Sequence, residues 1–404
     1  MRRVVVTGIG VVSALGSNTA DFWASLIEGR SGIRPMTKVD TADLRFKNAA
    51  EVQGFDAAQH FEEKELMWLD PFSHFGVVAA REAVADSGIE FASGLGDRSG
   101  VITGSCLGGK ETEDKLYSDL YGNGRTRFPP TPIPRAMSNA VASHVSMEFG
   151  LTGATFTTST ACSSANHAIG QAFWLIRQGT LDAAIAGGSE APLAYGNLKA
   201  WEGMRVVSND TCRPFSKDRS GMVLGEGGAM FVLETLDAAN ARGAKVYAEI
   251  AGLGMSADAH HLTMPLVGGA AKAMRAAIDD AKLANEQIGY INAHGTATQA
   301  NDAMESAAIR EVFGGHTDNI YVSSTKSMHG HALGAAGAIE AAATVLGLHK
   351  GILPPTANFN EPDPECAINV IQNNAVEAEV DAALSNSFAF GGLNAVLAFK
   401  RSEA

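Results

Sequence analysis

The chain is poor in cysteine, in positive charge and in long apolar runs, and each shortage narrows what the protein can be. Its four cysteines show no CxxC motif and no zinc-ligand spacing with histidines, which argues against a disulfide framework or a metal site. Lysine and arginine total 31 against 44 acidic residues, a net charge of −13, so nucleic acid is disfavoured as a partner. No run is long enough for a membrane span, and we expect a cytoplasmic protein.

The remaining composition is typical of a large α/β protein. The 404 residues are 46% hydrophobic and 19% charged, enough for two domains or one duplicated domain. Strand-like β-branched runs alternate with alanine-rich helical ones, which predicts helices packed around buried sheets. The apolar start is broken by Gly8 and Gly10, which favours a buried first strand over a signal peptide. We interpret this Gly-x-Gly as a tight strand-to-helix turn, because the third glycine of a dinucleotide fingerprint is missing.

Two distant stretches of the chain are alike. Residues 159–179 and 324–351 each contain a Ser-Thr step, a helix rich in glycine and alanine, and a glycine at or near the end. Each is followed by a strand-like run that closes on paired glycines. We therefore predict two related halves, 1–250 and 251–404, whose equivalent helix starts face one site. Chance similarity between alanine-rich segments is the alternative that the pattern leaves open.

Cys162 is the candidate nucleophile, because it lies where a β-rich run gives way to a helical one. Backbone dipoles in the first turn of a helix favour the thiolate. Small neighbours on both sides leave room for a substrate. The alternative is a buried cysteine that serves only as a small hydrophobic residue.

Two histidines of the second half have unusual neighbours. His294 comes at a strand end, before a loop of small polar residues, and His331 starts the helix that matches the cysteine helix. Either one alone would be interpreted as structural. Two of them in glycine-flanked loops, one at the counterpart of Cys162, indicate a shared site.

Four motifs, taken together, carry a family resemblance. They are Thr-Ala-Cys-Ser-Ser at 160–164, Asn-Ala-His-Gly-Thr-Ala-Thr at 292–298, Lys-Ser-Met-His-Gly-His-Ala-Leu-Gly-Ala-Ala-Gly at 326–337, and Asn-Ser-Phe-Ala-Phe-Gly-Gly-Leu-Asn at 386–394. In this order and register they resemble the β-ketoacyl-[acyl-carrier-protein] synthases, in particular the elongating type I/II branch. The third motif is also similar to that of the nodulation-protein-E-like subgroup.

The resemblance implies a thiolase-like five-layered αβαβα sandwich and a homodimer, with a heterodimer as the other possibility. It implies a decarboxylating Claisen condensation in fatty acid or related polyketide or polyene elongation. Cys162 would take an acyl chain from acyl carrier protein, and His294 and His331 would hold the malonyl thioester. No cofactor is implied beyond the phosphopantetheine of the carrier.

Further site residues follow from the same resemblance. Two imidazole N–H donors would stabilise an enolate oxygen without a metal. The backbone N–H groups of Cys162 and Phe390 would form a second oxyanion hole. Lys326 and Glu305 resemble an ion pair that orients the histidine loops, with Asp302 close by.

The chain departs from the family pattern around this site. Ala389 stands where glycine is usual, and alanine would restrict movement of a gate at Phe390. Met222 and Ser220 replace a usual phenylalanine and aspartate, which would also loosen the gate. His329 replaces a common threonine, and we interpret it as a supporting residue without a catalytic role.

Substrate contacts are expected in two further groups of residues. The acyl pocket is predicted to be lined by Cys106, Leu107, Met137 and Trp201. Docking of the acidic carrier is predicted to use the basic residues Lys64, Arg125, Arg127 and Arg205. Met67 and Trp68 stand where basic residues are common, so we hypothesise a specialised carrier or an apolar partner surface there.

The competing interpretation is a silent partner subunit that only sets chain length. Such subunits lack the cysteine. The chain has Cys162, His294, His331 and Lys326 together, which favours an active enzyme.

Overall fold

Strands and helices alternate along residues 1–402, the part of the chain that this computed structural model describes. The strands are β1 (Val4–Ser13), β2 (Arg34–Pro35), β3 (Asn48–Ala49), β4 (Ser99–Gly104), β5 (Thr155–Thr158), β6 (Ala183–Glu190), β7 (Gly227–Thr235), β8 (Ala248–Ala257), β9 (Ile288–Asn292), β10 (Tyr321–Ser323), β11 (Ile352–Leu353), β12 (Val376–Glu377), β13 (Ala382–Ala389) and β14 (Leu393–Arg401).

The helices cover both faces of the strands and the space between them. They are α1 (Thr19–Ile27), α2 (Glu63–Leu66), α3 (Pro71–Ser87), α4 (Lys110–Tyr117), α5 (Pro132–Ala136), α6 (Ala140–Phe149), α7 (Ser164–Arg177), α8 (Tyr195–Met204), α9 (Leu236–Ala241), α10 (Val267–Ala281), α11 (Gln299–Phe313), α12 (Lys326–His329) and α13 (Ala336–Lys350). Within residues 1–402, no helix is both long and apolar enough to cross a membrane.

The sheet topology repeats itself. Ten strands are hydrogen-bonded in the order β10-β9-β13-β14-β8-β1-β7-β6-β4-β5. From the centre outward, β1-β7-β6-β4-β5 and β8-β14-β13-β9-β10 follow the same order, and corresponding neighbours run in the same relative directions. The predicted duplication is therefore confirmed in the topology. The boundary at residue 250 stays a prediction; it falls within β8, the first strand of the second set.

Two buried helices lie between the two sets of strands. α7 and α13 contact each other, and each contacts strands of both sets. All residues of α13 from 336 to 348 are buried, as expected for a helix made almost entirely of small and apolar residues. On the outer faces, α3 packs on β1, β7 and β6, and α10 packs on β8 and β14. This arrangement is the αβαβα sandwich that the resemblance implied.

The first Gly-x-Gly is not a turn, so the sequence interpretation of it was wrong. Gly8 and Gly10 lie inside β1, and a Cβ at Gly10 would come within 1.9 Å of the Ala79 oxygen of α3. The second half has an equivalent close contact between a strand glycine and a helix, since a Cβ at Gly254 of β8 would come within 1.9 Å of the Ala273 oxygen of α10. These glycines let an outer helix approach its strand closely.

Candidate active site

Cys162 lies in a tight turn between β5 and α7. Ala161 has a φ of 51°, a left-handed conformation that costs a non-glycine residue about 1 kcal/mol. The amide of Ser163 donates to the Thr160 carbonyl at 3.3 Å, and the Ser164 hydroxyl donates to the Ala161 carbonyl at 2.7 Å. These bonds hold the strained turn and direct the cysteine into the cavity.

The sulfur of Cys162 is a protonated thiol in this resting structure. Burial raises the pKa of Cys162 to about 11, although the Lys326 charge and the backbone N–H groups of Phe390 and Cys162 act to lower it. We expected the start of the helix to favour the thiolate, but burial of the sulfur acts in the opposite direction and has the larger effect on the pKa. Desolvation outweighs the dipole, because the side chain is only 8% exposed.

His294 and His331 meet Cys162 at the floor of one cavity. The two imidazole rings are 5.4 Å apart between centroids and nearly perpendicular. One ring nitrogen from each histidine and the cysteine sulfur all lie within 4.8 Å of one another. His294 follows the end of β9, and His331 lies in the break between α12 and α13. The structure thus brings together the three residues that the motifs single out.

Both histidines are neutral at pH 7. Burial, then the nearby charge of Lys326, holds their pKa values well below the usual 6.5. The Lys326 ammonium lies 3.3 Å from Nδ1 of His294 and donates to the His294 carbonyl at 2.7 Å. A neutral imidazole that accepts at Nδ1 carries its proton on Nε2. Lys326 thereby fixes the tautomer in which Nε2 of His294 is a donor.

The predicted Lys326–Glu305 pair was wrong in its partner. Lys326 pairs with Glu340 of α13, and both side chains are fully buried. Glu305 instead accepts from the backbone N–H groups of His294 at 2.9 Å and Gly295 at 2.8 Å, and from Asn386 at 3.1 Å. Glu305 therefore holds the His294 loop through its backbone, while Glu340 balances the lysine charge.

Sequence reasoning missed Glu340, although a signal was present. It is the one charged residue between Ala336 and Leu348, in a helix otherwise made of small and apolar residues. A carboxylate in so apolar a stretch needs a buried cationic partner. That argument would have indicated a residue such as Lys326.

Asp302 supports the neighbouring loop. Its carboxylate accepts from the backbone N–H of Phe215 at 2.8 Å and of Ala297 at 3.2 Å, and it lies 3.9 Å from Arg219. Burial raises the pKa of Asp302 to about 6. His329 is also buried, with Nε2 3.0 Å from the Thr325 hydroxyl, a position that agrees with a supporting residue.

Phe390 lies over the cavity and stacks on Trp201, with ring centroids 6.1 Å apart and planes at 26°. Ala389 ends β13 and has no positive φ; the left-handed residues of the following turn are Gly391 at 85° and Gly392 at 68°. In this conformation Ala389 is therefore not strained. The amide of Gly391 donates to the Leu262 carbonyl at 2.7 Å, which ties the turn after Phe390 to the loop at 258–266.

The cavity wall contains predicted and unpredicted residues. Trp201 and Met222 line it, and so does the segment 261–265, which carries no motif and was not anticipated. Cys106 and Leu107 pack with Trp201 in an adjoining apolar cluster. Met137 is 49% exposed and lies outside both groups, so its place in the acyl pocket remains a prediction.

The four basic residues predicted for carrier docking are in different settings. Lys64 pairs with Glu62 at 2.8 Å, and Arg125 pairs with Asp119 at 3.1 Å. Arg127 is exposed on the surface. Arg205 directly follows Met204, which lines the cavity, so Arg205 is the one of the four next in sequence to a residue of the cavity wall.

The hypothesised partner surface is exposed. Met67 is 53% exposed and Trp68 is 42% exposed, just after the short helix α2. Acidic residues flank it at Glu62, Glu63 and Glu65. An acidic partner would meet little positive charge there.

Comparison with known proteins identifies the family. The models for the β-ketoacyl synthase N-terminal and C-terminal domains match residues 1–239 and 247–360. The chain is 48% identical over 400 residues to Nodulation protein E from a Rhizobium species, with 99% of both chains covered. It is 41% identical over 408 residues to 3-oxoacyl-[acyl-carrier-protein] synthase 2 from a Synechocystis species, covering 99% of this chain and 98% of the other.

A solved structure agrees with the sequence relatives. The ishigamide ketosynthase/chain length factor superposes with a TM-score of 0.95 at 38% identity, covering 99% of each chain. A buried Cys-His-His site in a duplicated sandwich defines a condensing enzyme of the acyltransferase kind. The chain belongs to the β-ketoacyl synthase family, and its similarity to Nodulation protein E confirms the subgroup resemblance.

Proposed function

We propose that the chain is an elongating β-ketoacyl-[acyl-carrier-protein] synthase of the I/II type, with Cys162 as nucleophile and His294 and His331 as oxyanion donors. The observation that carries the proposal is the convergence of these three side chains within 4.8 Å. Both histidines are neutral, which suits hydrogen-bond donors to a developing enolate. Charged imidazoles could instead protonate the carbanion and end the reaction.

The first half-reaction transfers an acyl chain to Cys162. The sulfur loses its proton, attacks the thioester carbonyl of acyl carrier protein, and forms a new C–S bond. The bond to the phosphopantetheine sulfur breaks, and that sulfur leaves with a proton. Because burial holds the pKa of Cys162 at about 11, the proton must leave as the substrate arrives, and the neighbouring imidazole of His331 can accept it.

The second half-reaction makes the carbon–carbon bond. The Nε2–H of His294 and a ring N–H of His331 donate to the malonyl thioester oxygen. The C–C bond between the malonyl methylene and the carboxylate breaks, carbon dioxide leaves, and the electron pair of that bond forms the enolate. The enolate carbon attacks the acyl carbonyl on Cys162. The oxyanion that forms accepts hydrogen bonds from the backbone N–H groups of Cys162 and Phe390. Collapse expels the sulfur, which regains a proton.

The proposal includes the carrier protein, the cellular compartment and the residues along the acyl chain. Acyl carrier protein is the carrier, with Arg205, next in sequence to the cavity wall, as the first docking residue, together with Lys64, Arg125 and Arg127. Four free cysteines in the described residues support a reducing, cytoplasmic setting. We place Cys106, Leu107, Met137 and Trp201 along the acyl chain.

A homodimer is proposed from the outer edge of the sheet. β5 is the edge strand of the first half, and its Phe156 side chain is 38% exposed. An open strand edge with an exposed aromatic residue is a ready pairing surface. A heterodimer with a related subunit would use the same edge, as the relative that is a ketosynthase/chain length factor suggests.

The alternative function, a silent chain-length subunit, has no observation in its favour. It would not need neutral histidines around a cysteine, or a buried lysine that fixes the tautomer of His294. An intact Cys162 turn also opposes it.

One experiment separates these functions. The purified protein is incubated with acyl carrier protein bearing an acyl thioester, and intact-mass spectrometry measures whether the protein gains the mass of one acyl group. Carbon dioxide release from malonyl carrier protein is then measured. The expected result is one acyl adduct, absent in Cys162→Ala, followed by carbon dioxide release. A wild-type protein that takes up no acyl group from any carrier would overturn the proposal.

A further inference from the structure

Three soft ligand atoms converge at the floor of the cavity. They are the sulfur of Cys162 and one ring nitrogen from each of His294 and His331, all within 4.8 Å of one another. Thiolate and imidazole are ligands that Zn²⁺ and related soft cations prefer, at distances of about 2.0 to 2.3 Å. A small inward movement of the side chains would let one ion contact all three. The cavity above them leaves room for water as the fourth ligand.

We infer that Cys162, His294 and His331 form a binding site for one soft divalent cation, Zn²⁺ or Cd²⁺, and that Lys326 keeps its affinity low. The ion acts here as an inhibitor and has no part in catalysis. The inference rests on the proposed function in one respect only: a sulfur bound to a metal cannot accept an acyl chain.

Lys326 weakens the site through the tautomer of His294. Its ammonium lies 3.3 Å from Nδ1 of His294 and holds that lone pair, so Nε2 keeps the proton. A metal needs a bare nitrogen. To bind at Nε2 it must move the proton to Nδ1 and break the contact with Lys326.

The same ammonium also repels a cation directly. Lys326 is fully buried beside the site, so its charge is poorly screened by water. Glu340 offsets part of this charge, but one of its oxygens pairs with Lys326 and the other has no hydrogen-bond partner among the described residues. The net electrostatic potential at the three ligand atoms is therefore unfavourable to a divalent cation while the lysine is present.

Binding has a simple stoichiometry. The Cys162 thiol releases its proton to solvent as the metal–sulfur bond forms, and each histidine donates one lone pair. No electron transfer is involved. The product is a protein with one bound ion and a blocked nucleophile.

Cadmium titration of the substrate-free protein tests the inference. The thiolate-to-Cd²⁺ charge-transfer absorption in the ultraviolet and the heat of binding are recorded for the wild type, Cys162→Ser and the double variant Lys326→Met/Glu340→Gln. The matched control is Cys106→Ser, since Cys106 is the other cysteine near the cavity. The double variant removes both charges of the buried pair, so that neither is left without a partner.

The expected result is one Cd²⁺ per chain in the wild type, with an absorption that persists in Cys106→Ser and is lost in Cys162→Ser. The double variant is expected to bind at least about tenfold more tightly, because both the repulsion and the tautomer restraint are gone. Near-ultraviolet circular dichroism confirms that each variant is folded. A general loosening of the structure would not increase affinity.

Three outcomes would overturn the inference. They are an absorption that persists in Cys162→Ser, no absorption in either the wild type or the double variant, and equal affinity in those two proteins. Acylation of Cys162 is measured separately, without metal. A protein that is acylated but binds no Cd²⁺ contradicts only this inference, whereas one that binds Cd²⁺ through Cys162 but is never acylated contradicts the proposed function.

Discussion

The two central helices, α7 and α13, occupy equivalent places in their halves but differ in their polar groups. Those of α7 that face the core are uncharged, whereas α13 contains a buried charge. α7 runs without a break from Ser164, and Asn166, a buried polar residue in its first turn, uses its amide to donate to the Ser385 and Ala395 carbonyls. Before α13 the chain is broken into a short helix and a 3₁₀ turn, and α13 contains the charged Glu340. The duplicated scaffold is symmetrical, while its polar groups are not.

In the proposed mechanism, this difference assigns different parts of the reaction to the two halves. The first half supplies an uncharged nucleophile in a strained turn. The second half supplies two donors, the lysine that sets a tautomer and the carboxylates that hold them.

The largest expected effect comes from the buried charge pair of the second half. Lys326→Met leaves Glu340 without its partner and should lower the free energy of unfolding by about 3 to 5 kcal/mol. Lys326→Met/Glu340→Gln should recover most of that loss. Urea denaturation of both variants measures the difference. Equal stabilities of the single and double variants would show that the pair is not the unit we describe.

The next effect distinguishes decarboxylation, assigned to the second half, from acylation, assigned to the first. His294→Ala should reduce carbon dioxide release from malonyl carrier protein by about 100- to 1000-fold, because one oxyanion donor is lost. Acylation of Cys162 should persist in this variant. His349→Gln, at the far end of α13, is the matched control and should change neither step. If acylation fell as far as decarboxylation, the division of labour would be wrong.

A charge in the first half should make stability depend on pH in the opposite sense to a salt bridge. Burial, and then Asp70, raises the pKa of Glu111 to about 7. The folded state therefore holds a proton that the unfolded chain releases near 4.5, so this group makes the protein less stable as pH rises from 4.5 to 7. Glu111→Gln should raise the free energy of unfolding at pH 8 by about 1 to 2 kcal/mol.

Urea denaturation at pH 5 and pH 8 measures the Glu111 effect. The gain from Glu111→Gln should be smaller at pH 5, where the wild-type carboxyl is already protonated when folded. A gain that is equal at the two pH values would contradict the assignment.

The smallest effect concerns the gate, where the halves touch. Trp201 comes from the first half and Phe390 from the second, and their stacking is worth about 0.5 to 1.5 kcal/mol. Trp201→Ala should expose Cys162 and speed its alkylation by iodoacetamide by about two- to tenfold. Trp201→Phe keeps an aromatic partner and should alkylate at nearly the wild-type rate. Unchanged alkylation in Trp201→Ala would show that the stack does not hold the gate.

The sequence predicts the groups that touch substrate better than the groups beneath them. Cys162, His294 and His331 each stand in a short motif at an element boundary, and the duplication predicts that such boundaries meet. The partner of Lys326 was misassigned, because Glu305 and Glu340 both lie in helices and the isolation of Glu340 in an apolar stretch was overlooked. Which of them faces the lysine depends on the packing of α13 between the sheets.

Burial and close packing account for the other errors. The pKa of Cys162 is raised because the sulfur is buried, and no local sequence pattern states how deeply a turn will be buried. Gly8 and Gly10 suggested a turn, yet they serve contact with α3, a segment more than sixty residues away. The loop at 261–265 has no motif, since its role comes from position alone.

The seam between the halves has a consequence for how the enzyme is supplied. β1 and β8 join through only three residue pairs, and most of the remaining contact is between α7 and α13 and the strands they cover. The connection at 242–247 is held against the first half, since Lys245 pairs with Asp86 at 2.9 Å and the Tyr247 amide donates to the Val6 carbonyl at 2.9 Å. Because both halves belong to one chain, every copy that is made carries Cys162 together with His294 and His331. Neither half can therefore be produced in excess of the other.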